Sequence, residues 1–222
     1  MNSETDFVAR NEDFQEFVLD LLQSLSHHYT ATGTSSSHAL DVQEMLEVPS
    51  LASGGSMALK DTLGDMVSKI RENLSLKRGC WLSIQPEQQA LTSYMHGSLR
   101  TTQPLEDGTS MYLGSQCTVS MFSTPSAAVT QDDLLTNQLR KLNMHITAAK
   151  PRYHHVEDVP EDIVAHEKDI IVKQLGDSAQ KKPDHVLEKI VTGRLQKFYQ
   201  EVVLDEQLHL LSEENNLTVL LI

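Results

Sequence analysis

Ten histidines and 31 acidic residues among 222 supply most of the side chains that could do chemistry, so their spacing is the first question. His27-His28 and His154-His155 are adjacent pairs. Neighbouring side chains on a helix or strand diverge, so neither pair is expected to chelate a metal. His166-Glu167 lacks the second histidine that a zinc helix places four residues after the first. The carboxylate pairs Asp132-Asp133 and Glu213-Glu214 stand near expected helix starts, where they complement the helix dipole rather than move protons. Cys80 and Cys117 are 37 positions apart and form neither a CxxC pair nor a metal-spaced cluster, which fits a reducing compartment.

The glycine-rich phosphate loops, the G-x-S-x-G elbow and the H-E-x-x-H metal helix are all missing from the sequence. No nucleophile or base is nominated, and neither a cofactor nor a metal is expected. The net charge of −13 speaks against nucleic-acid or anionic-membrane binding, since both need a basic face. No apolar run approaches the roughly 18 residues of a membrane span, and the acidic N-terminus does not read as a targeting segment. Interaction with another protein is the better expectation than catalysis.

The elements that would carry such an interaction follow from periodicity. A helix is expected from Thr5 to about Ser26, with Phe14, Phe17, Val18, Leu21, Leu22 and Leu25 on one stripe. Ser3 and Asp6 stand in capping-box register before it. Phe7 is ambiguous. At about 100° per residue it lies only about 20° from Phe14, on the core stripe, yet a first-turn side chain has no preceding turn to cover it. His27 to Gly55 is rich in Ser, Thr and Gly and reads as flexible loop, with one short helical turn near Val42 to Leu46. Leu59 to Leu74 reads as a second helix. "LKRGCWLSI", "ALTSYMHGS" and "CTVSMF" read as strands of one antiparallel sheet with a long link from Leu99 to Ser115. A third helix, about Gln131 to Ala148, stops at Lys150-Pro151, because a residue before proline avoids the α region. Pro160 to Leu175 and Pro183 to Leu204 read as an antiparallel helical hairpin joined by "GDSAQKKPD".

Five blocks, in order, resemble one family. "NSETDFVARNEDFQ" is similar to the Thr-Asp-Phe signature of elongation factor Ts, with Ser3 in place of the usual cysteine. "IRENLSLKRGCW" resembles its Gly-Glu-Asn stretch, with Arg71 where glycine is usual. "SYMHGSL", "LNMHITAAKPRY" and "EDVPEDIVAHEKDI" followed by "KKPDHVLEKIVTGRLQKFYQEVVLDEQ" resemble three further blocks. The resemblance implies an α+β fold of two small subdomains with antiparallel sheets and packed helices, plus an inserted helical hairpin, a coiled coil. The expected bounds are 1–142 for the first subdomain, 143–158 with 205–222 for the second, and 159–204 for the hairpin.

It also implies a guanine-nucleotide exchange factor for elongation factor Tu, acting without covalent chemistry. Asp6 and Phe7 would form a helix tip that enters the partner beside its magnesium site, Asp6 chiefly as the N-cap that fixes the tip. Met144, His145, Leu210 and Leu211 match further partner-facing positions. The hairpin dimerises in some relatives, so a dimer is a further expectation. The insertions at Thr30 to Ser56 and Arg100 to Gly114 resemble the mitochondrial branch, with plastid or bacterial cytoplasm as the alternative. The family's N-terminal helical domain and flanking strands have no counterpart here, so a shortened form that binds without efficient exchange is the rival expectation.

Overall fold

A computed structural model describes residues 1–34, 36–85, 88–101, 108, 110–123, 133–176 and 183–210. The chain divides into two compact units, Met1–Thr136 and Asn137–Ile222. Helices and small antiparallel ladders together make it an α+β protein. Among the described residues no helix is long and apolar enough to cross a membrane.

The first unit is organised by α1, Glu12–Ala31. Phe14, Phe17, Leu21, Leu25 and Tyr29 recur every three or four residues, so one stripe of α1 is buried along its length. Most of that stripe packs with Met45 of α2 (Val42–Glu47), Leu59 of α3 (Leu59–Ile70), Val48 and Leu76. Phe14 belongs instead to a second cluster with Val8 and Leu74.

The expected cap is corrected. Helix α1 begins at Asn11, whose side chain accepts from the Phe14 N–H at 3.1 Å. Ser3 donates to the Thr5 carbonyl instead, and Asp6 lies in a turn ahead of the 3-10 segment Val8–Arg10. The extended backbone of Asn11 (φ −72°, ψ 130°) breaks the helical phase between Phe7 and Phe14.

The Ser-rich segment is also more ordered than its composition suggests. Ser50 is fully buried and donates to Asp20 Oδ2 at 2.8 Å, while the Ala52 N–H donates to Asp20 Oδ1 at 2.8 Å. The Leu51 N–H donates to Ser24 Oγ at 2.9 Å, so two polar side chains of α1 hold this loop. Upstream, His38–Leu40 forms strand β1.

Strand β1 is the partner that the single expected sheet lacked. It pairs antiparallel with β2, Gly79–Trp81, with Ala39 opposite Cys80. Gly79 allows this because a Cβ there would meet Met45 Sδ at 2.4 Å. Strands β3 (Gln89–Thr101) and β4 (Tyr112–Ser123) form a separate two-stranded ribbon. Both run further into the expected Leu99 to Ser115 link than the sequence pattern indicates. A bulge interrupts their register between Ser98 and Arg100. Just before it, Gly97 takes φ +61°, where an added Cβ would meet Ser115 Oγ at 2.3 Å.

Helix α3 ends on a non-glycine residue in the left-handed region: Arg71, at φ 61° and ψ 29°, donates its N–H to the Val67 carbonyl. That conformation costs an L-residue about 1 kcal/mol relative to glycine. Arg71→Gly is therefore expected to stabilise the first unit by about 1 kcal/mol, raising Tm by roughly 2–4 °C in thermal unfolding.

The second unit contains most of α4 (Asp133–Ala149), together with α5 (Glu161–Leu175) and α6 (Asp184–Val202). Lys150 leaves α4 at φ 52°, outside the right-handed region that its following proline disfavours. Helices α5 and α6 pack together, with Arg194 donating to Gln174 at 3.0 Å. Among the described residues this unit has no strand, only an isolated parallel bridge between Tyr153 and Val203.

Candidate functional site

The tip before α1 is built from behind. Asn2 and Ser75 exchange backbone hydrogen bonds of 2.8 and 3.0 Å, tying the N-terminal strand of chain to the segment after α3. Three residues on, the Glu72 carboxylate accepts from the Thr5 N–H at 3.0 Å and from the Thr5 hydroxyl at 2.8 Å. Val8 then turns inward and packs with Phe14 and Leu74. The Phe7 carbonyl accepts from the Arg10 N–H at 3.1 Å, closing the 3-10 turn.

Between these anchors stand Asp6 and Phe7. Phe7 is 77% exposed, although its neighbour Val8 is buried. Such a ring gains nothing from folding, since about 25 cal/mol is gained only for each Å² removed from water. The chain thus spends a charge-assisted latch and an apolar plug on holding an aromatic ring and a carboxylate in solvent. The tip thus presents a carboxylate and an aromatic ring outward, while the Thr5 hydroxyl behind it is engaged by Glu72.

The other expected contact residues lie in the second unit, and they divide. Met144 is half-buried. His145, which the resemblance implies to face the partner, is 1% exposed in this chain. Its Nδ1 accepts from the Leu210 N–H at 3.2 Å, leaving Nε2 to donate to Gln207 Oε1 at 3.0 Å. Gln207 in turn donates to the Glu201 carbonyl at 2.9 Å, and the His209 ring stacks on His145 at 5.2 Å. His145 is a clasp on the segment after α6, not part of its outer face.

That segment does present apolar groups: Leu208 is 61% and Leu210 60% exposed. With Ala149, Gln200 and Glu206 they line an open cavity of about 520 Å³. Leu211 lies outside the described residues. Sequence reasoning missed Glu72, Gln207 and Leu208. Glu72 and Gln207 fall inside family-like blocks, but their hydrogen-bond partners are 67 and 62 residues away and carry no local signal.

The clasp gives a pH dependence. Burial holds the His145 imidazole below its ordinary value of 6.5; the Gln207 hydrogen bond opposes this and His209 adds to it. The unfolded chain therefore takes up the proton first as pH falls. The stability from neutral His145 is fully present above about pH 6.5, declines below it, and levels off beneath the folded value. Unfolding midpoints should drop between pH 7.5 and 5.5, and His145→Gln should flatten part of that drop.

A family model described as Elongation factor TS matches residues 4–221. The chain is 32% identical over 221 residues to an elongation factor Ts of Rhodospirillum rubrum, covering 100% of this chain and 62% of the relative. A Gluconobacter oxydans elongation factor Ts is 32% identical over 215 residues, 97% of this chain and 61% of its own length. One from Ehrlichia chaffeensis is 34% identical over 220 residues, 99% of this chain and 65% of its own. The chain thus spans about three fifths of the length of these relatives.

Proposed function

The chain belongs to the elongation factor Ts family, and we propose that it acts as a guanine-nucleotide exchange factor for elongation factor Tu in translation elongation. One observation carries the reading: Phe7 is exposed while Thr5 and Val8 on either side are anchored. In this proposal the Asp6-Phe7 tip enters the partner beside its magnesium and phosphate groups. Magnesium demands near-ideal octahedral geometry, so a small displacement weakens nucleotide binding disproportionately. Leu210, with Leu208 beside it, supplies a second, apolar contact.

Exchange of this kind needs no covalent step. A factor that weakens nucleotide binding is itself bound more weakly by the nucleotide complex, by linkage. Substoichiometric chain should therefore accelerate release of fluorescent GDP from elongation factor Tu in the presence of excess unlabelled nucleotide. Binding without acceleration would support the rival reading of a form that docks but does not exchange. Failure to bind would end both.

By the same proposal the protein works in the mitochondrial matrix, a reading supported by the insertions at Thr30 to Ser56 and Arg100 to Gly114. The compared relatives are bacterial, so the family alone is equally compatible with a bacterial cytoplasm. Fractionation of the source cells with an antibody to the chain tests this, and a purely cytosolic signal overturns it.

A further inference from the structure

The segments leading into and out of the α5–α6 hairpin run side by side. The Arg152 and Tyr153 N–H groups donate to the Val202 carbonyl at 2.8 and 3.0 Å. The Leu204 and Asp205 N–H groups donate to the Tyr153 and His154 carbonyls at 3.0 and 3.2 Å. This zip places Asp205 opposite the His154-His155 pair.

Adjacent histidines diverge on a regular element, but here the backbone bends. His155, at φ −111° and ψ 163°, leads into the 3-10 turn Val156–Asp158, and its N–H donates to Asp158. The two imidazoles consequently lie together, centroids 3.9 Å apart and planes 31° apart. His155 Nδ1 contacts Asp205 Oδ2, and His154 Nε2 stands 3.7 Å from Asp205 Oδ1. One ligand atom from each residue lies within 4.8 Å of the others.

Two details distinguish this from an ordinary surface ion pair. Asp205 Oδ1 is shielded from solvent and accepts no hydrogen bond. Its distance to His154 Nε2 is also too long for a hydrogen bond. It is close to the spacing of two ligands of one ion, because bonds of about 2.0–2.1 Å at near-tetrahedral angles separate donor atoms by about 3.3–3.4 Å.

We propose that His154, His155 and Asp205 bind one divalent cation of the zinc type, which joins the two strands of chain at the base of the hairpin. Two imidazole nitrogens and one carboxylate oxygen favour zinc, cobalt or nickel over magnesium or calcium. Three protein ligands leave a fourth position for water. The ligands bridge 50 residues of sequence, so a bound ion stabilises the closed base by mass action.

The test is titration of metal-free chain with Co²⁺, followed by visible absorption, and with Zn²⁺, followed by calorimetry. One saturating equivalent, a tetrahedral Co²⁺ band and a Zn²⁺-dependent rise in Tm are expected. His154→Ala and Asp205→Asn should each weaken Zn²⁺ binding at least about tenfold, with circular dichroism unchanged. The double variant His27→Ala, His28→Ala should leave the affinity intact. Absence of a saturating equivalent, wild-type affinity in both site variants, or loss of binding in the control variant would each overturn the site.

Discussion

Phe7→Ala is expected to slow stimulated GDP release from elongation factor Tu by about 30-fold, the equivalent of about 2 kcal/mol for losing an aromatic anchor at the centre of an interface. The ring is 77% exposed, so its removal deletes almost no contact within the chain. Val8 keeps its place with Phe14 and Leu74, and the Thr5–Glu72 latch does not involve the phenyl group. The unfolding midpoint should therefore move by no more than the equivalent of about 0.5 kcal/mol, the usual range for surface substitutions. A large kinetic loss at constant stability is the mark of a tip whose only work is outside its own chain. Unchanged release rates across a full titration of the folded variant would sink the wedge.

His145→Ala should produce the largest loss of stability, about 3 kcal/mol. It leaves the buried Gln207 amide oxygen without its partner, at about 1–3 kcal/mol, removes the acceptor of the half-buried Leu210 N–H, and opens a cavity. Chemical denaturation of the second unit reads this as a lower midpoint at unchanged m-value. Leu210→Ala should behave oppositely: its side chain is 60% exposed, so stability holds within about 0.5 kcal/mol while affinity for elongation factor Tu falls. Equal stability losses in the two variants would show that His145 is not the clasp on this segment.

These two variants also mark where the sequence could be read and where it could not. The buried stripe of α1 was legible because Phe14, Phe17, Leu21 and Leu25 repeat at helical spacing. The position of Phe7 was not, because its phase relative to Phe14 depends on one extended residue, Asn11, that periodicity passes over. The Ser-rich segment reads as loop by composition, yet its order comes from Asp20 and Ser24, residues about 30 positions upstream. Strand β2 showed its extended character but not its partner, since β1 is only three residues long and lies within that same segment. His145 sits in a family-like block that implies a partner-facing position, whereas its ring is buried by hydrogen bonds to Gln207 and Leu210, more than 60 residues away and without a local signal. His154-His155 looked like a poor chelate only under the assumption of regular backbone, which the bend before Val156 removes.

In the proposed mechanism the tip acts on the difference between two states of the partner, rather than adding affinity to both. The direct measurement is a four-way comparison of Kd: wild type and Phe7→Ala, each against nucleotide-free and GDP-bound elongation factor Tu. The wild-type chain should bind the nucleotide-free form far more tightly, and Phe7→Ala should lose affinity for that form while its weak binding to the GDP form barely changes. If Phe7→Ala instead weakens both forms by the same factor, the ring is an ordinary contact and the wedge is contradicted.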